Sequence, residues 1–178
     1  MNAIQQLKNN LEKGGILTKF KTLEREEYLK TANNINTNLY FISEGSLRVF
    51  YVNDKEEHTL YLGYKKSLIT ALDSFFSNKV SQLEIQALKK TKVDFISKDD
   101  FMKFMMSNPE NLSLWYAILE ELIYLQTERE IDLLISSPAE RYQRVLQRRP
   151  ELFQEIPHKY IASYLRMAPE TLSRIKRY

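Results

Sequence analysis

PHKYIASYLRMAPETLSRIKRY, residues 157–178, reads as two short helices crossing steeply at a tight turn. Ile161, Leu165, Met167, Leu172 and Ile175 are apolar at the helical spacing that faces a supporting core, and Ala162 is small where a second helix must approach. Arg166-Met167-Ala168 forms the turn. Pro169 opens the second helix with a preset φ, and Glu170 places negative charge at its positive end. The outer face of that helix is polar: Glu170, Thr171, Ser173, Arg174 and Arg177. Such a pair fits a helix-turn-helix unit, whose second helix lies in the major groove and meets base edges with its N-terminal residues. Glu170, Ser173 and Arg174 are the candidate base readers; an arginine suits guanine and a carboxylate suits the cytosine amine. Lys159, Tyr160, Thr171, Lys176 and Arg177 are candidate backbone contacts that would set the register. The competing reading is an αα-hairpin with a merely solvated outer face.

Charge distribution points the same way. The chain of 178 residues carries a net +3, but residues 138–178 hold nine Lys/Arg against four Asp/Glu. The remainder is mildly acidic, so a basic end on an acidic body predicts an anionic partner for that end. The chain has no cysteine, which excludes disulfides, thiolate metal sites and cysteine-held iron–sulfur clusters. No apolar run approaches the length of a membrane span, and residues 1–15 have no apolar signal core. A cytoplasmic protein is expected. His58 and His158 have no acidic cluster at ligand spacing, and the neighbours Glu56-Glu57 and Asp99-Asp100 point apart on any regular element. No metal, cofactor or catalytic constellation is expected, and the chain does not read as an enzyme.

Working outward, all four glycines lie within the first 63 residues and all five prolines beyond residue 108. Strands are therefore expected first and helices afterwards, an α+β fold. Leu39–Ile42, Leu47–Val52 and Thr59–Leu62 are separated by Glu44-Gly45 and Asn53-Asp54, the punctuation of antiparallel hairpins. Leu83–Leu88 and Val93–Ile96 are further strands, and Ser97 with Asp100 predicts a capped helix start. Asn108-Pro109-Glu110 opens a long helix through residue 136, about 40 Å of rod. Its apolar stripe of Leu112, Trp115, Leu119, Leu122 and Ile123 is read as a dimer seam in preference to a core face. Ser137 and Glu140 restart the next helix. The expected division is 1–107, 108–136 and 137–178.

The tail from Ser137, above all KYIASYL and PETLSRI, resembles the C-terminal domain of the Crp/Fnr family of bacterial transcription regulators. LYFISEGSLRVFY and EHTLYL are similar to that family's β-roll hairpins. The resemblance spans nearly the whole chain. It implies an antiparallel, cyclic-nucleotide-binding-like β-roll with flanking helices, a long dimerisation helix and an all-α helix-turn-helix domain. It also implies a homodimer on a two-fold operator in double-stranded DNA, with Glu170 and Arg174 reading bases, and it admits a small-molecule effector and RNA polymerase as further partners. Two departures matter. Where the family's nucleotide cassette carries Gly-Glu and an arginine pair, this chain has SLITALDSFFSNKVSQLEIQAL between Ser67 and Leu88, with Thr70-Ala71 and Ser81-Gln82 at those places. Lys79 is the remaining cation there, so cyclic AMP is not expected to bind tightly and the ligand is left unknown. Arg166 stands where many such turns use glycine, and the sequence stops at Tyr178 before any C-terminal wing, which makes dimerisation matter more for affinity. The alternative is a β-roll sensing or protein-interaction module that has lost DNA binding.

Overall fold

The computed structural model describes residues 3–176. An N-terminal helix α1 (Ala3–Lys13) precedes eight strands: β1 (Lys19–Leu23), β2 (Tyr28–Lys30), β3 (Leu39–Glu44), β4 (Ser46–Asn53), β5 (Glu56–Tyr64), β6 (Leu68–Ile69), β7 (Leu83–Ala87) and β8 (Thr91–Ile96). Helix α2 (Leu72–Ser77) interrupts them after β6. The strands form two antiparallel four-stranded sheets, ordered β1-β8-β3-β6 and β2-β7-β4-β5. This is the expected α+β roll. Leu47, Val49, Ile85, Ala87 and Val93 are buried between the sheets, as alternation along half-buried strands requires.

The β4–β5 hairpin shows how local sequence sets register. Asn53 pairs with Glu56, so the turn is the two residues Asp54 and Lys55, both at positive φ. That is a type I′ geometry, one residue beyond the Asn53-Asp54 dipeptide that announced it. At the β3–β4 turn Gly45 has φ 85°, and a Cβ there would lie 2.4 Å from the Lys90 carbonyl oxygen. Only glycine fits that approach.

The second half is helical: α3 (Lys98–Met106), α4 (Pro109–Leu134), α5 (Pro138–Arg148), α6 (Leu152–Glu155), α7 (His158–Tyr164) and α8 (Pro169–Ile175). The expected caps are present. Ser97, Asn108 and Ser137 accept from the backbone N–H of Asp100, Glu110 and Glu140 respectively. Helix α1 buries Leu7 and Leu11 against α3 and α4, and Lys8 pairs with Asp94 of β8 at 2.7 Å.

Helix α4 divides the residues of the expected seam between two faces. Trp115, Ile118, Leu122, Leu125, Arg129 and Asp132 step by three and four residues along one face. Trp115, Ile118, Arg129 and Asp132 are buried, and Trp115 stacks edge-on against Phe101 and Phe75. Trp115 and Leu122 thus pack within their own chain, because the roll leaves an open apolar end that this face closes. A second stripe, rotated about 100°, carries Leu112, Tyr116, Leu119 and Ile123, of which Leu119 is half-buried and, like Leu122, also packs against the core of its own chain. Ile123 is 67% exposed on it and Tyr116 and Tyr124 are also exposed.

Candidate nucleic-acid interface and the cavity behind it

Helices α7 and α8 are joined by a Schellman turn. The Met167 N–H donates to the Ala162 carbonyl and the Arg166 N–H to the Ser163 carbonyl, with Arg166 left-handed at φ 53°. The expected non-glycine residue at positive φ is therefore present. Ile161, Ala162, Leu165 and Leu172 are fully enclosed, while Met167 and Ile175 pack against the same core. Arg141 of α5 donates to the Arg166 carbonyl at 3.2 Å and to the Ile135 carbonyl at the end of α4. The turn is thus anchored to the helix that supports it.

With its apolar face inward, α8 presents Glu170, Ser173 and Arg174 to solvent. Thr171 is half-buried beside them, and Lys159 and Lys176 are exposed, Lys176 lying 2.5 Å from the His158 ring. Arg177 falls outside the described residues. Tyr160 is a correction: it is 7% exposed, with the Arg48 guanidinium 4.8 Å from its ring centroid. Its aromatic body was needed to seat α7 on the roll, so it is a packing residue and not a surface contact to a backbone phosphate.

That seating went unread in the sequence. Helix α7 lies on β5, where the Ser163 hydroxyl bonds the Thr59 hydroxyl at 2.9 Å. Arg129 of α4 donates to the Tyr164 carbonyl at 2.7 Å and the Thr59 carbonyl at 3.0 Å, and stacks on the Tyr164 ring. Arg149 donates to the Leu62 carbonyl, and Lys89 pairs with Glu155. One guanidinium therefore ties the long helix, the roll and the helix-turn-helix together. Burial pulls the Arg129 pKa below its ordinary value, with Tyr164 opposing that shift. The signal was an arginine and an aspartate continuing an apolar stripe at Arg129 and Asp132. On the other side of the joint Asp132 and Glu128 pair with Arg144 and Arg148, which fixes α5 to α4.

Behind this joint lies a cavity of about 600 Å3, bounded by the roll, α2 and α4, with α5 and α7 at one end. Leu39, Val49, Leu68, Ile69, Phe75 and Trp115 give it apolar walls. The region between Ser67 and Leu88 contributes Thr70, Leu72, Phe76 and Leu83 besides Leu68, Ile69 and Phe75, and no cation. Lys79 is exposed and lies outside the lining, a second correction, because it sits on the outer loop after α2. The cationic groups at the wall are instead Arg129, Arg148 and Arg149, of which Arg129 bonds the Tyr164 carbonyl and Arg149 the Leu62 carbonyl.

The family model described as the cyclic nucleotide-binding domain matches residues 20–108. The chain belongs to that family. Its fold is similar to FixK2 from Bradyrhizobium japonicum at 15% identity and TM-score 0.72, over 89% of this chain and 82% of that one. It is similar to a CooA mutant from Carboxydothermus hydrogenoformans at 16% identity and TM-score 0.71, over 92% and 77% of the two chains. It is also similar to the c-di-GMP responsive global regulator CLP of Xanthomonas campestris, at 12% identity and TM-score 0.71 over 96% and 90%. No curated protein sequence matches the chain. The fold, a roll followed by a long helix and a helical end, is thus shared with these structures, and among the described residues no helix is long and apolar enough to cross a membrane.

Proposed function

We propose that the protein is a cytoplasmic, homodimeric transcription regulator that binds duplex DNA through α8 and is not an enzyme. The single observation that carries this reading is the exposed face of α8. Glu170, Ser173 and Arg174 stand outward on a helix whose opposite side is fully committed to the core. Lys159, Thr171 and Lys176 flank that face as backbone contacts, joined in the sequence by Arg177. The function divides as 1–107 for sensing, 108–136 for pairing and 137–178 for DNA. Two copies paired along Leu112, Tyr116, Leu119 and Ile123 would set the reading helices roughly 34 Å apart, one turn of DNA.

The test is selection of bound sequences from random duplex DNA, followed by the Arg174→Ala variant on the enriched site. The variant is expected to lose ~1–3 kcal/mol and to relax preference at one base pair of each half-site. Unchanged selectivity would remove Arg174 as a reader. A wild-type protein that enriches no sequence at low salt would leave a β-roll sensing module in place of a DNA-binding regulator.

A further inference from the structure

The cavity has chemistry of its own. Its walls are apolar, yet at the end nearest α7 it meets Arg129 and Arg149. Arg129 is only 7% exposed. Among the described residues neither arginine forms an ion pair, whereas their neighbours Arg144 and Arg148 are both held by Asp132 and Glu128. A guanidinium has five N–H donors in a fork suited to a carboxylate. Arg129 gives two to carbonyl oxygens, and Arg149 bonds the Leu62 carbonyl and the Tyr64 side chain. Donors are left over on both: Arg129 is a buried cation with no carboxylate beside it, which costs free energy unless an anion arrives, while Arg149 is half-buried and stacks over the Tyr61 and Tyr64 rings. Glu130 also lines the cavity, but it is exposed and among the described residues forms no ion pair with either arginine. The volume lies in the range of small-molecule sites.

We infer that this cavity binds an amphipathic carboxylate, its apolar body against Leu68, Phe75 and Trp115 and its head on Arg129 and Arg149. The cations of the lining are Arg129, Arg148 and Arg149, and Arg148 is already held by Glu128 and Asp132, so the head group falls to Arg129 and Arg149, whereas the Thr70 hydroxyl is already given to the Asn38 carbonyl. The inference names a ligand class for the sensing region proposed above. It rests on that reading only for its physiological meaning, because binding itself is measured without DNA. Occupancy also has a route outward: a head group that draws on Arg129 competes with the carbonyls of Thr59 and Tyr164, the contacts that hold α7 to the roll.

Trp115 is the chain's one tryptophan and lines the cavity, so its fluorescence reports occupancy of the full-length protein directly. Decanoate is expected to give a saturable change, with decan-1-ol and decylamine at least ~10-fold weaker, as expected for loss of a charge-assisted contact. Arg149→Gln is expected to erase most of that preference while sparing decan-1-ol binding. Arg129→Gln should do the same if it remains folded by circular dichroism; the wild-type head-group comparison stands without it. Equal binding of decanoate and decan-1-ol, or no saturable response, overturns the proposal. So does a Trp115 signal that follows protein concentration instead of decanoate, which would mean that a second copy covers the cavity. DNA selection that succeeds while decanoate fails refutes only the ligand; the reverse refutes only the DNA reading.

Discussion

Arg166 shows what one side chain costs and why it is kept. A left-handed non-glycine residue is disfavoured by about 1 kcal/mol, yet the Schellman turn requires that conformation at this position. Arg166→Gly is expected to raise stability by up to about 1 kcal/mol, read as a higher urea midpoint at unchanged slope. A lower midpoint would mean that the contact of its guanidinium with His58, at 3.3 Å, outweighs the backbone strain. This residue was legible because the turn's length and its flanking apolar positions leave only one place for the positive φ. Arg48, Arg129 and Arg141 were not legible as structural residues. Arg129 and Arg141 donate to backbone carbonyls, and Arg48 donates to the Gln86 and Glu57 side chains and lies by the Tyr160 ring, partners brought together by the fold that no local spacing encodes.

At the scale of the element, α4 carries two messages in one period. The inward stripe of Trp115, Ile118 and Arg129 completes the roll and the joint. The outward stripe, exposed at Tyr116 and Ile123, leaves apolar surface in water, as does neighbouring Tyr124. Reading the helix as a single stripe mixed the two faces, because 100° separates adjacent residues and both are apolar. Only the roll's position tells them apart. Ile123→Glu is expected to shift the protein toward monomer in analytical ultracentrifugation while leaving the circular dichroism spectrum unchanged. A dimer of undiminished affinity would exclude this face from the seam. Strands β1 and β2 were missed for a related reason. β1 is mostly exposed and β2 spans three residues, so neither shows the alternation that announced β3, β4 and β5. Helix α1 did display its signal, Leu7 and Leu11 four residues apart, in a stretch weighed only as a targeting segment.

For the whole molecule, the order of parts was readable and their attachment was not. Leu62 and Leu88 of the roll region share one core with Val145, Tyr160 and Leu165 of the helical end. A core common to both ends couples their stability, so the chain should unfold in one step. Trp115 fluorescence, which watches the roll, and far-ultraviolet circular dichroism, which sums all helices, are expected to give coincident urea transitions. Two separated transitions would mean that the contacts across β5 contribute little. The helix-turn-helix was legible in the sequence since its helices, turn and cap are contiguous. The cavity was not, since its walls come from β3, β4, β5, β6, α2 and α4 and its cations from α4 and the end of α5, segments far apart in the chain.

Arg141 grips the carbonyl oxygen where the long helix ends and the one at the crossing of α7 and α8. Its buried Nε has no partner of its own, so the side chain acts wholly through those two grips. A joint held this way has no slack. When the rod tilts, the outward face of α8 must swing with it as a rigid lever arm, and small angular changes near residue 135 become sideways travel at Arg174.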